Sequence, residues 1–97
     1  MKYNDIVKSH PTVLVDFYAD WCGPCKMMAP VFKELKTIMG EGLKIVKINT
    51  EKNQQLSAKI NIRSIPTMIL YKNGKIVWQQ PGAMPLQALK DKINSFA

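Results

Sequence analysis

The sequence predicts an α/β fold with a four-stranded mixed sheet flanked by helices. Three observations carry this. Residues 13–19, Val-Leu-Val-Asp-Phe-Tyr-Ala, form a nearly continuous apolar run rich in β-forming side chains, which marks a strand buried on both faces. Strand patterns alternate with helical ones, and strands joined through helices pair in parallel. Asn73-Gly74 lies between two further strand patterns and is the strongest short hairpin signal, so one pair is antiparallel.

The elements follow in order. Asn4 to Ser9 reads as a short helix, stopped at His10-Pro11 because the residue before a proline avoids the helical region. The strand Val13 to Ala19 comes next. From Cys22 to Met39 the apolar residues Met28, Val31, Phe32, Leu35, Ile38 and Met39 recur at steps of three and four, the pattern of an amphipathic helix. Pro30 inside it predicts a kink, and Gly40 and Gly42 end it. Leu43 to Asn49 is a second strand and Asn53 to Lys59 a short helix. Thr67 to Lys72 and Lys75 to Gln80 are the strands of the hairpin. Pro85 to Phe96 closes the chain as a helix, with Leu86, Leu89, Ile93 and Phe96 on one face and Pro85 in its first turn.

The 97 residues, 46% of them hydrophobic, suffice for one domain, residues 1–97, with a real core. There is no G-x-G-x-x-G, so the electrons for any redox reaction come from another protein. Lys and Arg number 14 against 7 Asp and Glu, a net charge of +7. All but Arg63 are lysine. Specific readers of nucleic acid favour the planar fork of arginine, so nucleic acid is not an expected partner, and the charge reads as a solvated surface that steers acidic partners. No apolar run approaches the ~18 residues of a membrane span. The start, Met1-Lys2-Tyr3-Asn4-Asp5, lacks the apolar segment of a signal peptide.

Cys22-Gly23-Pro24-Cys25 sits where the buried strand gives way to the long helix. A structural zinc site takes four ligands, and only two cysteines and the distant His10 are at hand, so no metal is expected. Residues three apart on a helical turn lie roughly 5–6 Å apart, and a disulfide needs a Cα separation of ~4.4–6.8 Å. One turn therefore holds a dithiol or a disulfide with little movement. Unpaired N–H groups and the macrodipole at the helix start favour a thiolate on Cys22, the expected attacking group. Cys25, one turn in, is expected to be the more buried, resolving thiol. Asp16 stands among apolar neighbours and predicts a buried acid with a raised pKa, reaching toward Cys25. Lys47 shares a strand face with Leu43 and Ile45. It is the expected partner of Asp16, against the simpler reading of a lysine that snorkels to water. Ile65-Pro66 opens the third strand, and the residues alone leave a cis or a trans bond open.

Together these residues resemble the thioredoxin family. The resemblance runs over residues 13–30, with Trp21-Cys22-Gly23-Pro24-Cys25 as its most specific part, then Lys47-Ile48-Asn49, residues 62–74 and Gly82-Ala83. It covers nearly the whole chain. It implies the thioredoxin fold and a protein-disulfide reductase. Cys22 matches the nucleophile, Cys25 the resolving thiol, Asp16 the acid that assists Cys25, Lys47 the lysine near it and Pro66 a cis-proline beside the disulfide. Trp21, Gly23, Pro24, Ile65, Gly82 and Ala83 match the rim that receives substrate. The resemblance further implies no bound cofactor beyond a redox-active Cys22–Cys25 disulfide. Disulfide-containing proteins are the implied substrates, and a thioredoxin reductase or equivalent is the electron donor. A cytoplasmic monomer serving electron transport and cell redox homeostasis completes the expectation.

The chain departs from the family at its start. Typical thioredoxins carry an extra N-terminal strand and a longer first helix, and here only about a dozen residues precede Val13. The sheet is expected to keep four strands, with one edge exposed or covered by the short helix or a second chain. Trp78 is expected to pack, and Met28, Met39 and Met68 to fill the core, while Met27 and Met84 are candidates for a permissive groove. Two rival readings remain. One is an oxidase or isomerase, whose relatives vary the two residues between the cysteines. The other is a binding module whose cysteines are redox-silent or bridge a metal between chains.

Overall fold

The computed structural model describes residues 2–97. Its elements are α1 (Tyr3–Lys8), β1 (Thr12–Tyr18), α2 (Gly23–Met39), a 3-10 turn (Gly40–Gly42), β2 (Lys44–Asn49), α3 (Gln54–Lys59), β3 (Thr67–Lys72), β4 (Lys75–Pro81) and α4 (Leu86–Asn94). The four strands lie in the order β2-β1-β3-β4. β1 runs parallel to β2 and antiparallel to β3, and β3 pairs antiparallel with β4. This is the expected mixed sheet flanked by helices, with one correction: β2 and β3 are joined through α3 and yet run in opposite directions, because β3 enters the sheet antiparallel to β1, so two pairs and not the hairpin alone are antiparallel.

Pairing explains why the central run is apolar throughout. Side chains alternate along β1, and both faces of the sheet are covered. Leu14 joins Met28, Phe32 and Leu35 of α2, Met68 and Leu70 of β3, and Leu89 and Ile93 of α4 in one cluster. Val13, Val15 and Phe17 join Val7, Ile69 and Tyr71 in the other, with Leu56 and Ile60 packed against it. Each fully buried aliphatic or aromatic side chain contributes roughly 1.5–3 kcal/mol. Trp78 is half-buried against the first cluster, which gives it the packing place expected of it. Met28 and Met68 are buried and Met39 and Met84 pack on the same cluster, whereas Met27 is 72% exposed.

The hairpin turn has Asn73 and Gly74 in the left-handed region, at φ 53 and 81, as a two-residue turn matched to strand twist requires. Several ends differ from the sequence expectation for local reasons. Thr12 starts β1 because it pairs with Lys72, and Ala19 lies beyond the last paired residue, Tyr18. Pro85 stands outside α4 as its N-cap, with extended backbone (φ -66, ψ 154), rather than in its first turn. Its carbonyl accepts from the Leu89 N–H at 3.1 Å. The sheet edges are β2 and β4.

Candidate active site

The site forms where β1 ends and α2 begins. Cys22 is the N-cap of α2, with extended backbone (φ -85, ψ 112), and its Sγ accepts from the Cys25 N–H at 3.2 Å. Gly23 and Pro24 fill the first two helical positions, where the N–H that proline lacks has no helical partner to lose. Cys22 and Cys25 are joined in a disulfide with their Cα atoms 5.2 Å apart. The expected difference in burial between them is absent. Cys22 is 4% exposed and Cys25 5%, because the bonded pair shares one cluster with Ala19, Tyr18 and Ile65.

Asp16 is 1% exposed and lies on the Leu14 side of β1, facing α2. Neither carboxyl oxygen has a hydrogen-bond partner among the described residues, so Asp16 is not hydrogen-bonded to Cys25. Burial pushes its pKa up to about 6, and the charge of Lys47 pulls the other way. Lys47 is the residue opposite Asp16 on β2, yet the expected contact pair does not form. On this edge strand the side chain reaches outward, and Nζ lies 5.4 Å from the Tyr18 ring centroid and 6.0 Å from that of Phe32. Lys47 therefore influences Asp16 through its field alone.

The Ile65-Pro66 bond is cis. The Pro66 carbonyl accepts from the Gly82 N–H at 2.8 Å, which ties the loop before β3 to the segment after β4. Gly82 has φ 86, a conformation that L side chains rarely adopt. Ile65 packs on the cysteine cluster, and Trp21, next to Cys22, is 69% exposed. Trp21, Gly23, Pro24 and Ala83 are exposed, and Ile65 and Gly82 are half-buried. Four further residues were not assigned to the site from the sequence, although three of them lie within the stretch that carries the resemblance. Thr50, Ile62, Arg63 and Ser64 join Trp21 and Ile65 around a depression of ≈ 230 Å³. The available signal was Arg63, the lone arginine among 14 basic residues, three residues before Pro66. Among the described residues no three His, Cys, Asp or Glu side chains group as a metal site, and no helix is long and apolar enough to cross a membrane.

Comparison with known proteins gives the same picture. The family model described as Thioredoxin matches residues 1–95. Thioredoxin of Bacillus subtilis (strain 168) is 48% identical over 86 residues, which span 89% of this chain and 83% of that protein. Thioredoxin of Haemophilus influenzae is 48% identical over 89 residues, spanning 92% and 83%. Among solved structures, a mutant thioredoxin from Halobacterium salinarum NRC-1 superposes with a TM-score of 0.87 at 38% identity, over 96% of this chain and 80% of that one. Oxidised mitochondrial thioredoxin 3 from Saccharomyces cerevisiae gives 0.87 at 30% identity, over 96% and 86%. With its sheet order, its disulfide at the start of α2 and these relatives, the chain belongs to the thioredoxin family and is a thiol-disulfide oxidoreductase acting through Cys22 and Cys25.

Proposed function

We propose that the protein works as a reductant of disulfides in other proteins, with Cys22 attacking and Cys25 resolving. The observation that carries the order of attack is the place of Cys22 as N-cap of α2, where its sulfur accepts a backbone N–H. That position favours negative charge on Cys22 rather than on Cys25. The Cys22 thiolate attacks one sulfur of the substrate disulfide, forming a mixed disulfide and releasing the other sulfur as a thiolate. Cys25 loses its proton and attacks Cys22 Sγ. The Cys22–Cys25 bond forms, the mixed bond breaks and the second substrate thiolate leaves. Two electrons have passed from the dithiol to the substrate.

Asp16, with a pKa of about 6, is the base that takes the Cys25 proton, directly or through water, and the Lys47 charge favours its ionised form. Trp21, Gly23, Pro24, Ile65, Pro66, Gly82 and Ala83 make the rim against which substrate backbone lies. A separate thioredoxin reductase or equivalent donor returns two electrons to the disulfide. The working form is a monomer in a reducing compartment, the cytoplasm.

The test is the equilibrium potential of the Cys22–Cys25 pair against a redox buffer. A value near about −270 mV, the established poise of thioredoxin itself rather than one obtained from this chain, supports the reductant. A value near about −120 to −180 mV assigns it to the oxidases and isomerases instead. Cys25→Ser is expected to accumulate a mixed disulfide on Cys22, and accumulation with Cys22→Ser instead reverses the assignment of roles.

A further inference from the structure

The depression beside the disulfide has a chemistry that the reduction of a generic disulfide does not require. Trp21 and Ile65 form two of its walls, and both are next in sequence to groups the reaction uses, Cys22 and Pro66. Ile65 also packs on the cysteine cluster, so the hollow is within reach of a residue that flanks a cysteine bonded to Cys22. Three of its lining residues are apolar, Trp21, Ile62 and Ile65, and three are polar, Thr50, Ser64 and Arg63.

Arg63 is exposed and oriented. Its Nε donates to Asn61 Oδ1 at 3.1 Å, and Asn61 is itself held in the left-handed region at φ 62. That bond holds one edge of the guanidinium, and among the described residues neither terminal nitrogen has a hydrogen-bond partner. Paired N–H donors in one plane match the two oxygens of a carboxylate, which a lysine ammonium cannot do. Asp20 and Glu51 adjoin Trp21 and Thr50 in sequence, and their carboxylates oppose the approach of an anion. Discrimination must come from direct pairing at Arg63 rather than from the net charge of +7.

We infer that Arg63, Trp21 and Ile65 form a specificity subsite for an acidic side chain beside the cysteine that Cys22 attacks. The apolar stem of a glutamate lies on Trp21 and Ile65, and its carboxylate meets the Arg63 fork. This rests on the reading of the protein as a reductant of protein disulfides and names the class of disulfide it prefers.

The experiment uses two peptide disulfides that differ only in Glu or Gln next to one cysteine, reduced by the wild type, Arg63→Gln and Arg63→Glu. The readout is the ratio of kcat/KM for the two peptides within each protein, so a general loss of activity cancels. An exposed ion pair is worth up to about 1 kcal/mol, so the wild type is expected to prefer the Glu peptide about three- to fivefold. The preference is expected to shrink in high salt, to fall to about one in Arg63→Gln and to invert in Arg63→Glu. Equal rates in the wild type, or an undiminished ratio in Arg63→Gln, overturn the subsite while leaving the reductant standing. Failure to reduce either peptide overturns the reductant itself.

Discussion

A carboxyl group 1% exposed, with no hydrogen bond from the described residues to either oxygen, keeps its proton up to about pH 6 in the folded Asp16. In the unfolded chain the same group ionises near ~3.9. Between those values the folded state binds a proton that the unfolded state has lost, so stability falls as pH rises and levels off above pH 6. Two pKa units correspond to about 3 kcal/mol. Asp16→Asn removes the titration, so its stability relative to wild type is expected to rise by about 2 kcal/mol between pH 4 and pH 7, read from urea melts at each pH. The same variant is expected to release substrate from the mixed disulfide more slowly at pH 7, in single-turnover kinetics, because the Cys25 proton has lost its acceptor. A flat difference in stability across pH would remove Asp16 as a buried titrating group. Asp16 was legible in the sequence because a charge interrupts an apolar run. The reach of Lys47 was not, because strand periodicity fixes the face a residue shares and not whether its long side chain turns inward. The near-equal burial of the cysteines escaped for a similar reason: position along a helix does not say what covers a residue from another loop.

At the scale of elements, the glycines around the site separate two kinds of constraint. A Cβ on Gly23 or on Gly82 would meet nothing within 4 Å, so neither position is closed by packing. Gly82 has φ 86, whereas Gly23 opens α2 in the ordinary helical region. Gly82→Ala is therefore expected to cost about 1–2 kcal/mol from backbone conformation alone, and to strain the 2.8 Å bond from its N–H to Pro66. Gly23→Ala is expected to stabilise by about 0.4–1 kcal/mol through the unfolded chain. Chemical denaturation of both variants checks the pair, and an equal effect at the two sites would refute the conformational argument. The strands and helices themselves were readable from period and turn chemistry, down to the left-handed Asn73-Gly74 turn. Their ends were less so, since Thr12 enters β1 through a partner, Lys72, that lies 60 residues away.

Across the whole molecule, the strand order β2-β1-β3-β4 leaves β2 with a neighbour on one side only. The order was only partly legible. The strand count and the antiparallel hairpin were in the sequence, but which strand takes an edge depends on how the crossovers pack. β2 reads Lys-Ile-Val-Lys-Ile-Asn, and Ile45, Val46 and Ile48 are half-buried. Such an edge invites another strand unless something blunts it. Lys44 and Lys47 are three residues apart, so they lie on opposite faces of the strand, and any incoming strand meets an ammonium on either side. Lys44 is also tethered, its Nζ donating to Ser9 Oγ at 2.6 Å, which holds the charge at the start of the edge. The net charge of +7 adds repulsion between copies. Replacing both lysines by valine leaves a continuous β-branched edge and lowers the repulsion. The double variant Lys44→Val, Lys47→Val is expected to associate in a concentration-dependent way in sedimentation velocity, while the wild type holds one sedimentation coefficient over the same range. Each single variant is expected to associate less than the double, because one face stays guarded. A double variant that sediments like the wild type would show that the lysines do not guard this edge.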